Sequence, residues 1–247
     1  MAIDLRPLPE GVPRSEAVHA RLRAAILADD LGPGDAVPSE RELSEALSVH
    51  RHAVREALKR LDQAGLVQIS HGGPTRVRDW RRTGGLDLLL DIALAPEAPP
   101  QHELLRSVVE LRAAIGIDAA RRFAERATPA ARTRAADLAR WLADDLTTAS
   151  PDVDARVDRF VELWDLLVDG ADNLAYRLAL NSLVSGLDRV PGANAALAPT
   201  GDDVVALRRL ATAIEDHDGD AAAATVRLTL ERPLEDPQAL RRIADGS

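Results

Sequence analysis

The chain has 247 residues and no cysteine, a single methionine, and only three tryptophans, two phenylalanines and one tyrosine. Without cysteine there is no disulfide, no thiol nucleophile and no thiolate metal ligand, which fits a reducing compartment. So few aromatic rings leave the interior to be built from aliphatic side chains. No uninterrupted apolar run approaches the roughly 20 residues that a membrane span needs. The opening MAIDLRPLPEG lacks the basic segment and apolar stretch of a secretory signal. A cytoplasmic protein with no membrane role is expected. Catalytic signatures are missing too: there is no Gly-x-Ser-x-Gly elbow and no phosphate-binding glycine loop, so no enzyme is expected. The six histidines are His19, His50, His52, His71, His102 and His217, and no three of them recur at metal-ligand spacing. Neither a metal nor another cofactor is expected.

What is present is a chain with 46% hydrophobic and 29% charged residues, ordinary for a globular protein with a sizeable core. At about 150 residues per domain, two domains are expected. The net charge of −9 is unevenly spread. Residues 1–82 carry 13 Lys/Arg against 12 Asp/Glu, whereas residues 83–247 carry 18 against 28. Residues 50–82 alone hold eight basic and three acidic side chains. A cationic segment within an acidic chain is a local electrostatic footprint of the kind that meets nucleic acid, or else a solvated helix face.

The pattern of apolar residues gives this footprint a scaffold. Ser15–Asp30 places Val18, Leu22, Ala25 and Ile26 on one helical stripe, and LGPGD then breaks the helix. Ser39 and Glu42 stand at capping-box spacing and start a short helix. A third helix is expected from His50 to Ala64, with Val54, Leu58 and Leu61 inward and Gly65 as its stop. LVQIS and TRVRDW alternate as two short strands flanking HGGP. Helix, short helix, turn, helix and two-stranded ribbon is the order of a winged helix-turn-helix, whose third helix enters a major groove by its N-terminal residues. Those residues are His50, Arg51, His52 and Arg55. After RRTGG, helices are expected at about Leu86–Ala95, Gln101–Ala127, Pro129–Thr148, Asp152–Asp169, Asn173–Val190, Asp202–Asp216 and Asp220–Glu231. The fold class is therefore mainly α. A DNA-binding domain is placed at residues 1–80, a linker at 81–85, a helical effector-binding and dimerisation domain at 86–235, and a tail at 236–247.

The segment PSERELSEALSVHRHAVREALKRLDQAGLVQISHGGPTRVRDW resembles the GntR family of bacterial transcription regulators. The Pro-Ser-Glu-Arg-Glu-Leu start, the Val-Arg-Glu-Ala-Leu core and the Leu-x-x-x-Gly-Leu exit match the family in order and spacing. The helical half is similar to FadR-type effector domains, and NLAYRLALNSLVSGL resembles a helix of the fatty-acid-responsive branch. The resemblance implies a homodimer that reads a short palindrome in double-stranded operator DNA. It places Arg41, Arg51 and Arg55 on the family's DNA-contacting arginines, and His71 and Gly72 at the wing tip. His50, His52 and Ala53 depart from the residues usual in the family.

For the effector the resemblance implies an acyl-CoA, with Arg112 and Arg227 at cavity arginines. Arg112 shares a stripe with Leu105, Val108, Ile115 and Ala119, so its charge points inward and needs an anion or an internal carboxylate. Tyr176 lies on a stripe with Leu180, Val184 and Leu187, as a core or ligand-contacting residue. Many FadR-type domains bind a metal through one Asp and three His; Phe160, Trp164, Leu207 and Thr229 stand at those positions here. Pro233 interrupts the last helix, where that branch continues it. A sensor of a different small organic acid is the alternative, and a helical scaffold without DNA binding is a third reading.

Overall fold

The computed structural model describes residues 11–70, 72–86, 88, 101–148, 153–187 and 198–232. The chain divides into two compact units, Met1–Pro100 and Gln101–Ser247.

In the first unit, helix α1 (Arg14–Leu27) buries Val18, Leu22 and Ile26 against α3 (Arg51–Gln63), which contributes Val54, Leu58 and Leu61. Between them, α2 (Glu40–Ala46) buries Leu43. Its start is the expected capping box: the Ser39 hydroxyl accepts from the Glu42 amide at 3.2 Å, and the Glu42 carboxylate accepts from the Ser39 amide at 2.8 Å. Gly65 follows α3 with φ +75°, a conformation that favours glycine, so the stop read from the sequence is where the chain turns.

The wing is shorter and better braced than the sequence pattern implies. Strands β1 (Val67–Gln68) and β2 (Arg76–Val77) pair antiparallel, Val67 opposite Val77. Residues 34–37, at and just after the LGPGD break, lend them a third edge: the Val37 amide donates to the Thr75 carbonyl and the Gly34 amide to the Val77 carbonyl, both at 2.8 Å. The expected strand through Trp80 does not form. Asp79 caps a short helix α4 (Trp80–Thr83) by accepting from the Arg81 amide, and the Thr83 hydroxyl donates to the Gly65 carbonyl at 2.6 Å. Residues read as the start of a linker are thus tied to the first unit. A local side-chain cap outweighs the apolar alternation there. Of the expected helix Leu86–Ala95, all but Leu86 and Leu88 lie outside the described residues, as does Pro233.

The second unit is helical: α5 (Gln101–Arg126), α6 (Pro129–Asp145), α7 (Val153–Gly170), α8 (Leu174–Leu187), a 3-10 turn at Gly201–Asp203, α9 (Val204–Glu215) and α10 (Gly219–Leu230). Its core holds Phe123, Leu142, Leu163, Leu167 and Ile214, all nearly inaccessible, among many alanines. Helix α5 packs on α10, α6 on α9, and α7 on both α5 and α6. Close approach rests on small residues: a Cβ on Gly116 of α5 would come within 2.5 Å of the Leu230 side chain and about 3.0 Å of the Trp164 ring. No helix among the described residues is long and apolar enough to cross a membrane.

Replacing Ser39 by alanine removes one half of the capping box, and the expected loss is about 1 kcal/mol of stability. Urea unfolding followed by circular dichroism measures it; an unchanged midpoint would show that the cap contributes nothing.

Candidate DNA-reading face and effector cavity

Helix α3 is amphipathic about a charged stripe. Its inner face is apolar, so Arg51, His52, Arg55, Lys59 and Arg60 are all left exposed. His50 is the N-cap residue in extended conformation, and its imidazole makes no cap bond, so the ring remains available. Arg51 opens the helix; no ion pair is formed by it among the described residues. On α2, exposed Arg41 pairs with Glu45 one turn on at 3.4 Å, an interaction that a phosphate readily replaces. Arg55 is held differently. Its Nε and Nη2 donate to the two carboxylate oxygens of Glu40 at 3.1 and 2.8 Å, a two-pronged bond between the helices. That bond holds the Glu40 carboxyl below its ordinary range.

At the wing, Gly72 has φ +79°, and an added Cβ there would meet nothing within 4 Å. The glycine is needed for backbone conformation, and its open surroundings allow a close approach by another molecule. His71 lies outside the described residues. The arginines trailing the wing have intramolecular work: Arg76 donates to the Gly34 carbonyl at 2.7 Å, and Arg81 stacks on the Trp80 ring at 4.3 Å. Charge counting cannot separate these bracing arginines from Arg51, which forms no ion pair among the described residues.

In the helical unit the three candidate effector residues are not brought together in one pocket among the described residues. Arg112 borders a narrow apolar cavity of about 60 Å³ between α5, α7 and α8, with Phe160, Val161, Trp164 and Leu183 among its walls. Its guanidinium lies 5.8 Å from the Trp164 ring centre, and no carboxylate pairs with it among the described residues. The internal salt bridge considered for Arg112 is therefore absent there. Although the residue as a whole is only half-buried, loss of water around its cation pushes the pKa down to about 10. The indole N–H of Trp164 is buried without a hydrogen-bond partner. An unpaired cation and an unused donor thus belong to the walls of one cavity.

Arg227 instead borders an open groove between α5 and α10 with Ile117, Asp118 and Arg121, and pairs with Glu231 at 2.9 Å. The Tyr176 hydroxyl donates to Asp118 at 2.7 Å, and Arg122 bonds the same carboxylate. Its ring packs against the small cluster of Ala119, Val168, Ala171 and Leu180, as a core residue does. The bond to Asp118 raises the tyrosine pKa. Of the positions that the resemblance assigned to metal ligands, Phe160 and Trp164 meet edge to face at 6.1 Å, Leu207 is buried, and the Thr229 hydroxyl is bonded to the Val226 carbonyl. Among the described residues no three His, Cys, Asp or Glu side chains are grouped to hold a metal.

Comparisons with known proteins follow the same division. Residues 14–77 match the family described as "Bacterial regulatory proteins, gntR family", and residues 107–232 match the FCD domain. The HTH-type transcriptional regulator Mce2R of Mycobacterium tuberculosis (strain CDC 1551 / Oshkosh) is 38% identical over 169 residues, which cover 68% of this chain and 67% of that protein. The fatty acid metabolism regulator protein of Edwardsiella ictaluri is 35% identical over 162 residues, 64% of this chain and 62% of that one. The solved structure of Streptococcus agalactiae GntR aligns at TM-score 0.46 and 21% identity, covering 90% of this chain and all of that one.

The lack of a carboxylate partner for Arg112 among the described residues makes a stability prediction. Its folded-state pKa is pushed below the ordinary arginine range to about 10, so the penalty of holding the charge is complete below pH 10 and is relieved only above it. At neutral pH, Arg112→Met is therefore expected to raise the unfolding temperature, by about 2–4 °C for each kcal/mol recovered. A lowered unfolding temperature would mean that Arg112 is internally compensated.

Proposed function

The chain belongs to the GntR family of bacterial transcription regulators and carries an FCD domain, and from that premise we propose an acyl-CoA-responsive regulator of lipid metabolism. A member of this family is a DNA-binding regulator rather than an enzyme. The proposal is that a homodimer reads a palindromic operator with two copies of α3, and that a long-chain acyl-CoA bound in the helical unit changes its operator affinity. The names of the fatty acid metabolism regulators similar to this chain support the ligand class. The observation that carries the effector reading is the cavity wall itself. Aliphatic and ring surfaces suit an acyl chain, and unpaired Arg112 supplies the charge that an anionic ligand requires.

A cavity of about 60 Å³ is far smaller than the roughly 300–1,000 Å³ of ordinary ligand sites. An acyl chain must therefore part the Phe160, Trp164 and Leu183 side chains. A ligand that stabilises a parted bundle biases the protein between two arrangements, the requirement for coupling to DNA affinity. The same cation would serve a smaller organic acid, which needs less room; that is the second reading.

On the DNA side, Arg51 and Arg55 supply donor forks for guanine edges or phosphates, Arg41 a phosphate contact, and His50 and His52 imidazoles at base edges. Gly72 and His71 serve a minor groove.

Two measurements test these readings. In a thermal-shift series, long-chain acyl-CoA esters are expected to raise the unfolding temperature while hydroxy and dicarboxylic acids do not; the reverse order supports the organic-acid sensor and removes acyl-CoA. In gel shifts on the protein's own upstream region at low salt, Arg51→Ala is expected to weaken cognate binding by about 1–3 kcal/mol. An equal loss on every sequence would show that Arg51 contacts only the backbone.

A further inference from the structure

Arginine carries five N–H donors arranged along two usable edges: one formed by Nε and one terminal nitrogen, the other by both terminal nitrogens. Glu40 occupies the first edge of Arg55 through Nε and Nη2. Three donors remain, two on Nη1 and one on Nη2; one from each nitrogen forms the terminal edge that Glu40 leaves open, and the third points back toward Cδ. That terminal edge has the spacing of guanine O6 and N7. The side chain is otherwise a long, solvated lever, 57% exposed, with Glu40 35% exposed. Its direction therefore comes from the carboxylate rather than from burial.

Glu40 is itself well anchored. It is the first residue of α2, enclosed between the two partners of the Ser39–Glu42 capping box, and α2 is fastened to the domain through buried Leu43. Fifteen residues separate the two partners, so the bond also fixes the α2–α3 angle at the surface where Arg51 and His52 are exposed. A carboxylate at such a surface would be expected to oppose DNA, because it repels phosphate. Here it has a compensating effect: with one edge occupied, Arg55 is less free to swing to whichever phosphate is nearest.

We propose that Glu40 is a positioning and specificity-determining residue, which holds Arg55 by its Nε/Nη2 edge, presents the Nη1/Nη2 edge to one base pair, and withholds the guanidinium from indiscriminate phosphate binding. This rests on the reading that α3 enters the major groove. It assigns Glu40 no direct contact with DNA.

The test uses the full chain and a randomised duplex library, with the retained duplexes sequenced for wild type, Glu40→Gln, Glu40→Ala and Arg55→Ala. Wild type is expected to enrich a motif; if it enriches none, the groove reading fails before Glu40 is in question. Both Glu40 variants are expected to lose preference, by tenfold or more, at one symmetry-related pair of positions while keeping it elsewhere. Arg55→Ala is expected to lose preference at those same positions. On a scrambled duplex the Glu40 variants should bind severalfold tighter, with a salt dependence steeper by about one phosphate contact. A helix-stability role would not produce that gain. An unchanged motif in the two Glu40 variants overturns the proposal, as does uniform weakening across all positions and on the scrambled duplex.

Discussion

Scarcity of aromatic side chains governs how the helical unit can be packed. With two phenylalanines, three tryptophans and one tyrosine in the whole chain, a core at ordinary density has to come from bringing backbones together over small side chains. Ala113, Ala120 and Ala124 of α5 are buried in the core that α10 completes with Ala222, Ala223 and Val226. Gly116 takes this furthest, since no side chain fits between α5 and the ends of Leu230 and Trp164. Two of the rings meet where α7 faces α5, and there Phe160 and Trp164 build a wall. The same packing leaves a gap beside them, and Arg112 borders it.

Arginine partnering separates structural charge from available charge. Arg177 bonds both Asp165 and Asp169 at 2.7 Å, and Arg156 pairs with Asp145 in a poorly accessible position. Arg76 and Arg81 brace the wing and α4. Against that background two arginines differ in kind. Arg112 is desolvated without a carboxylate among the described residues, and Arg55 is held by a carboxylate that leaves one donor edge open. The first arrangement suits capture of an anion, the second suits reading of an edge.

The DNA-binding half was legible because its signals are local. A capping box, an inward Val54–Leu58–Leu61 stripe and Gly65 each depend on neighbours within a few residues. From Gln101 onward the helical half was legible in element order, with the described ends falling within three residues of those expected. Failures have physical causes as well. The strand expected through Trp80 gave way to a helix because Asp79 could cap it. The pairing of residues 34–37 with the wing was hidden because glycine and proline mark a break without saying what the broken chain then meets.

Sequence alone determined that there would be a helix-turn-helix with a wing, an aliphatic helical bundle, and a cationic third helix with His50, Arg51, His52 and Arg55 at its start. Those properties follow from hydrophobic period and short-range hydrogen bonding, which act along the chain. Tertiary structure decided which charges are spoken for. It gave Arg55 to Glu40, Arg76 to Gly34 and Tyr176 to Asp118, and left Arg112 at a cavity shared with Trp164 but with neither Arg227 nor Tyr176. Partners of this kind lie 15 to 58 residues apart. Ionic and hydrogen-bond energies depend on distance and desolvation in space, quantities that no periodicity in a linear sequence encodes.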